Sequence, residues 1–237
     1  MNTLLVGFGD SWTFGSELDR PQEQSWVNQL SDMMGYDSCI NMGVPSSSIG
    51  HLTVQLFDFI KQNPNFENYK ITFMVGLTGL TRYLIYSNRE NQFVNITPEA
   101  VYKTNDIHHS GKPPEVVTHL KDYAQQTYRL IEDPIYNEFL VCQQIFQFQQ
   151  FCNYNEIDCL FFSYFDPLVI SKYNHMIVED LIYPKTITQA LTGEEYQLPN
   201  TLSNQYFEGK LFHPNLHGHT RIAELLKEFY DQKYPRY

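Results

Sequence analysis

Two short stretches at opposite ends of the chain contain residue types that can do nucleophilic chemistry. Near the start, Gly9-Asp10-Ser11-Trp12-Thr13-Phe14-Gly15 follows an apolar run, Leu4 to Phe8, that reads as a buried strand. A serine in the first turn after such a strand sits at its carboxyl end, where open α/β sheets place their ligand crevice. The flanking glycines allow a tight backbone and close approach of a substrate. The plainer reading of the same residues is a strand-to-helix turn with a capping Asp or Ser. Near the end, His213-Pro214-Asn215-Leu216-His217-Gly218-His219 opens a final helix expected over about 217–230. Ester hydrolysis needs a nucleophile, a base to take its proton and donors for the oxyanion. Ser11 is the candidate nucleophile. Its own N–H, at a helix start, is a candidate oxyanion donor because helix N-termini favour negative charge.

The Gly-Asp-Ser-x-Thr-x-Gly turn and the His-Pro-Asn-x-x-Gly-His segment together resemble the SGNH/GDSL hydrolase superfamily, in that family's order along the chain. The resemblance implies Ser11 as nucleophile and His213 as the catalytic histidine. It also implies a flavodoxin-like three-layer α/β/α fold with a mainly parallel sheet. Asn41-Met42-Gly43 ends the second expected strand, where the family has a glycine oxyanion donor; Gly43 takes that place, with a plain turn glycine as the alternative.

Two of the four blocks depart from the family pattern. Where it has Gly-x-Asn-Asp, this chain has Gly76-Leu77-Thr78-Gly79, so Thr78, with one hydroxyl donor, stands where the oxyanion asparagine would be. Where it has an Asp three residues before the histidine, this chain has Lys210, whose ammonium cannot accept an imidazole N–H. Glu208 would lie on the same side of an extended segment and is the first substitute. Asp166, at the carboxyl end of a strand, is the second, and a backbone carbonyl supporting a Ser–His dyad is the third. Arg82 reads either as a lid salt bridge or as a cation facing an anionic substrate group, and Asp10 as bonding backbone in the serine turn. A Gly-x-Thr third block is similar to that of SGNH-like proteins carried by tailed bacteriophages, which leaves virion association open.

The elements that must position these residues follow from periodicity. A helix is expected over Gln22 to Met34, stopped by Gly35, then a strand over Ser38–Asn41 and a helix over about Ile49 to Gln62. Lys70 to Val75 reads as a strand closed by Gly76, Ile135 to Asn153 as a helix with Pro134 in its first turn, and Ile157 to Phe165 as a strand covered on both faces. Alternating apolar strands and helices give a parallel sheet with helices on both sides. One domain over 1–237 is expected, with irregular lid-like insertions at about 83–133 and 168–210.

Composition narrows the partners. A net charge of −11 argues against nucleic-acid backbones and anionic membranes. No run approaches the roughly 18 apolar residues of a membrane span, and Met1-Asn2-Thr3 lacks the basic region of a signal peptide, so a cytoplasmic location is expected. Cys39, Cys142, Cys152 and Cys159 lack metal-like spacing and read as reduced core thiols. Pro214 and Gly218 make the His213 segment a turn and helix start, against a metal site on His213, His217 and His219, while His108 and His109 read as exposed loop residues. Gly7-x-Gly9 with Trp12 fits no dinucleotide fingerprint, and Gly15-Ser16-Glu17 lacks a P-loop lysine. No cofactor and no metal are expected, and the oligomeric state is open. The expected function is a serine esterase or deacetylase working through an acyl-enzyme on a small polar ester, such as an O-acetylated carbohydrate. The alternative is a weak or inactive module on the same scaffold that binds a glycan or a partner protein.

Overall fold

Leu4, Val6 and Phe8 point to one side of the first strand and Leu5 to the other, and all four are buried. A strand apolar on both faces needs cover on both faces, and the computed structural model supplies it. Residues 1–79, 82–87, 91–96, 134–165, 168, 172–193, 205–207 and 213–235 are described. In chain order they form β1 (Asn2–Phe8), α1 (Ser11–Phe14), α2 (Pro21–Gln24), α3 (Trp26–Met34), β2 (Ser38–Asn41), α4 (His51–Gln62), β3 (Tyr69–Leu77), β4 (Tyr83–Ser87) and β5 (Gln92–Ile96). There follow α5 (Pro134–Tyr154), β6 (Asp158–Ser163), β7 (Ile182–Thr186), α6 (Ile187–Thr192) and α7 (Leu216–Lys233). The main sheet has the order β2-β1-β3-β6-β7 with every pair parallel.

Helices α3, α6 and α7 cover one face, packing Trp26, Leu30, Ile187, Ile222 and Leu226 on Leu5, Met74, Leu160 and Phe162. Helices α4 and α5 cover the other, packing Leu52, Phe59, Ile145 and Phe148 on Val6, Phe8, Phe73 and Phe161. The second core is built on edge-to-face aromatics: the Phe8 ring lies 4.8 Å from Phe73 and 5.1 Å from Phe148, the geometry that ring quadrupoles favour. The architecture is three-layer α/β/α. Among the described residues no helix is long and apolar enough to cross a membrane. Cys142, Cys152 and Cys159 are buried free thiols, and half-buried Cys39 donates to Asn28 Oδ1.

Four local expectations need correcting. The helix expected from Gln22 to Met34 is two helices, because Ser25 is extended (φ −63°, ψ 156°) and the Trp26 N–H donates to His219 Nδ1 instead of to a helical carbonyl. Strand β3 runs through Gly76 to Leu77 rather than stopping at the glycine. The region from 83 begins with an antiparallel hairpin, β4–β5, and 97–133 lies outside the described residues. The region 168–210, expected as irregular, contains β7 and α6. Its sequence Ile-Tyr-Pro-Lys-Thr hides β7, since an edge strand tolerates proline and lysine and shows no apolar run.

Gly76 is needed where β3 passes under Tyr164. A Cβ there would lie 2.6 Å from the Tyr164 hydroxyl and 2.7 Å from its ring, and that ring is fully buried. Gly76→Ala is therefore expected to cost about 1–3 kcal/mol through overpacking, read as a lower urea midpoint at unchanged slope.

His219 links the core to pH. Burial, with His213 nearby, lowers its pKa from the ordinary 6.5 to about 3, so it is neutral and accepts from Trp26 through Nδ1. Between those two values the unfolded chain holds the extra proton, so stability falls as pH drops from about 6.5 toward 3. The slope for this group is on the order of 1 kcal/mol per pH unit. His219→Asn, which keeps an acceptor near the Nδ1 position, is expected to flatten that part of the stability–pH curve; an unchanged slope would place the acid sensitivity elsewhere.

Candidate active site

Strands β1, β2, β3 and β6 are parallel and end at one rim of the sheet, and the residues singled out in the sequence follow those ends. Ser11 opens α1 three residues beyond β1. Gly43 follows β2, and Thr78 follows β3. The serine turn is held on all sides. Asp10 caps α1 by accepting from Trp12 N–H at 3.0 Å, as its reading as a backbone-bonding residue expects, and its other oxygen accepts from Arg82 Nη1 at 2.9 Å. Asp10 is completely buried and the Arg82 side chain is 21% exposed, so Arg82 stands in a salt bridge that ties the base of β4 to the serine turn.

The far side of α1 is fixed through Thr13, whose hydroxyl donates to Phe8 O, while the Tyr164 hydroxyl lies 2.5 Å from it. Because the Thr13 proton is directed at Phe8 O, the Tyr164 hydroxyl is the donor to Thr13, and burial holds that phenol well above its ordinary pKa. Gln55, from the buried face of α4, accepts from Gly9 N–H and donates to Gly9 O. Sequence reading missed Gln55, although a glutamine between Leu52 and Leu56 on an apolar stripe is itself a signal.

Ser11 is 8% exposed, and its hydroxyl has no hydrogen-bond partner among the described residues. Its N–H occupies the first position of α1, where no intrahelical acceptor exists. Thr78 is 2% exposed and its hydroxyl is buried without a partner. Leaving such a donor unpaired costs about 1–3 kcal/mol, which a ligand oxygen would relieve. The expectation for Gly43 meets a competing acceptor: its N–H donates to Asn41 Oδ1 at 2.9 Å. What demands glycine there is close approach, because a Cβ would lie 2.4 Å from Phe14 N and 2.8 Å from Thr13 C. Asn41 completes that junction by donating to Thr13 O.

The chain returns to this rim through Phe207, which bridges to Pro214 and whose ring lies 5.5 Å from Trp12, the residue after Ser11. His213 thereby comes beside the segment that follows α1, and its Nδ1 lies 3.1 Å from Glu17 Oε2. Glu17 is six residues beyond Ser11 and separated from His213 by 196 positions, and the His213 and Glu17 side chains are 13% and 26% exposed. The His213 Nε2 has no partner among the described residues, and no hydrogen bond joins it to Ser11. Catalytic hydrogen bonds are often long before substrate binds. Glu208, Asp166 and Lys210 lie outside the described residues.

His213, His217 and His219 do not converge. Asn215 caps α7, His217 is exposed on its first turn, and His219 is buried against Trp26. Among the described residues no group of three or more metal-type side chains gathers. Two clefts, of about 500 and 670 Å³, lie beside Tyr36, Tyr230 and Tyr234 and along β7; Ser11, Thr78 and His213 line neither.

No family model matches the sequence, and no curated protein does. Solved structures align with most of this chain at low identity. An acetyl xylan esterase from the rumen bacterium Butyrivibrio proteoclasticus is similar at 12% identity over 98% of this chain and 64% of its own, with a TM-score of 0.47. A two-domain esterase active on acetylated mannans is 13% identical over all of this chain and 50% of its own, with a TM-score of 0.47. A member of the lipolytic protein G-D-S-L family from Veillonella parvula DSM 2008 is 15% identical over 99% of this chain and 100% of its own, with a TM-score of 0.32. This chain spans about two thirds and half of the two esterases, and at such identities its chemistry has to be read from its own residues.

Proposed function

We propose that this chain is a divergent SGNH-type serine ester hydrolase with Ser11 as nucleophile and His213 as general base. The observation that carries the reading is the contact of His213 with Glu17, in the segment that follows the serine's helix, with Nδ1 engaged and Nε2 without a partner among the described residues. Ser11 Oγ attacks the ester carbonyl carbon as its proton passes to His213 Nε2. The oxyanion that forms accepts from the Ser11 N–H and the Thr78 hydroxyl. Collapse expels the alcohol, which takes the proton from His213. Water, deprotonated by His213, then attacks the acyl-enzyme and releases the carboxylic acid and free Ser11.

The substrate class follows from charge. Asp10 and Arg82 neutralise each other, which leaves the Glu17 carboxylate beside His213 and no unpaired cation from Arg82, so a neutral polar ester suits the site better than an anionic one. An O-acetylated carbohydrate is the proposed case. Reaction with a fluorophosphonate tests the nucleophile directly: the adduct is expected on Ser11 by peptide mass spectrometry and absent from Ser11→Ala.

One observation favours a second reading, a binding module for a glycan or protein: the Gly43 N–H is held by Asn41 rather than free for an oxyanion. Folded protein that takes up no fluorophosphonate but still retains acetylated glycan would support that reading over hydrolysis.

A further inference from the structure

We infer that Glu17 is the positioning residue for His213, replacing from the nucleophile's own turn the acid missing at Lys210; this rests on the hydrolase reading above. The contact has the sense such a role needs. Glu17 Oε2 meets Nδ1, the nitrogen away from the reacting proton, at 3.1 Å, leaving Nε2 as the acceptor for Ser11. A carboxylate can only accept, so the pair fixes the neutral ring with its proton on Nδ1.

The backbone is arranged to deliver that carboxylate. After α1 the chain reverses through Gly15 at φ +87° and Glu17 at φ +69°, both left-handed, while Ser16 N–H and Gly15 N–H donate back to Ser11 O. Glycine relieves such a conformation and a glutamate does not, so a side chain is kept at Glu17 against the backbone's preference. Residues held this way gather at functional sites. Among the described residues, His219 feels His213 but is buried and neutral, and Arg82 is held in an ion pair by Asp10.

Glu17→Gly separates a positioning role from a structural one, because it removes the carboxylate and relaxes the backbone together. The expected result is a Tm no lower than wild type, KM for p-nitrophenyl acetate little changed, and kcat lower by about 10⁴-fold, the loss that removing the orienting acid of a triad brings. Glu17→Asp should recover part of the loss. Nitrogen-15 spectra of the imidazole, assigned by the signal missing in His213→Asn, give a readout that needs no turnover. Wild type should show His213 protonated on Nδ1, and Glu17→Gly should shift toward the Nε2-protonated form. Unchanged kcat, or an unchanged His213 tautomer, overturns the assignment of Glu17. Failure of the hydrolase reading has a different signature, equal turnover by wild type and Ser11→Ala, and it leaves the tautomer result to decide on Glu17.

Discussion

Ser11→Ala is expected to bring p-nitrophenyl acetate hydrolysis down by about 10³–10⁶-fold, with folding unchanged. The size follows from what the hydroxyl does. Without it there is no acyl-enzyme, and only water attack assisted by the remaining oxyanion donors is left, which in serine hydrolases retains about 10³–10⁴ over the uncatalysed rate. The fold should tolerate the change, because the Ser11 hydroxyl holds nothing in place: α1 is capped by Asp10 and anchored by Thr13 and Asn41. A Thr78→Val variant sets the scale for the oxyanion. Removing one donor costs about 3 kcal/mol where that donor acts on the transition state, while the same change costs the resting protein little because the Thr78 hydroxyl has no partner. Equal rates for Ser11→Ala and wild type in the presence of purified protein would remove the serine from the chemistry.

Arg82→Ala is expected to be the most destabilising single change near the site, at about 3 kcal/mol. Asp10 is fully buried, and with Arg82 gone its carboxylate keeps, among the described residues, the Trp12 N–H alone. Breaking a buried pair from one side costs about 3–5 kcal/mol because the charge left behind is uncompensated. The lower figure applies because Arg82 is itself partly exposed, so water screens some of the interaction. Asp10→Asn in the Arg82→Ala background should recover most of the loss, since the amide oxygen still caps α1 without a buried charge. Urea unfolding of the two single variants and the double variant gives the coupling. A loss under about 0.5 kcal/mol for Arg82→Ala, the range of ordinary surface substitutions, would mean that the pair contributes nothing to holding the serine turn.

The sheet was legible in the sequence wherever burial is two-sided. The runs at Leu4–Phe8 and Ile157–Phe165 mark β1 and β6 because a central parallel strand is apolar on both faces, and Pro134 and Gly35 mark helix ends by their backbone limits alone. The edge strand β7 was not legible, since one flank meets solvent and Pro184 and Lys185 are allowed there. The break at Ser25 was not legible either, because the Trp26 N–H beside it donates to the ring of His219, 193 positions from Trp26 in the chain.

The same division runs through the candidate site. Ser11 could be singled out from its place in the turn after an apolar strand, whereas Thr78 and His213 were singled out by the resemblance of their short blocks to those of a known family. The partner of His213 is decided only by tertiary structure. Nothing near Glu17 in sequence distinguishes it from an exposed loop acid; it becomes a ligand for the imidazole because Phe207 packs on Trp12 and brings the chain from Pro214 onto the serine turn. The Gly43 N–H likewise looked available from its place after a strand, and only the fold shows Asn41 holding it. Side chains that act alone can be read from a short stretch, whereas hydrogen-bond partners depend on which distant backbone the packing of the core brings alongside.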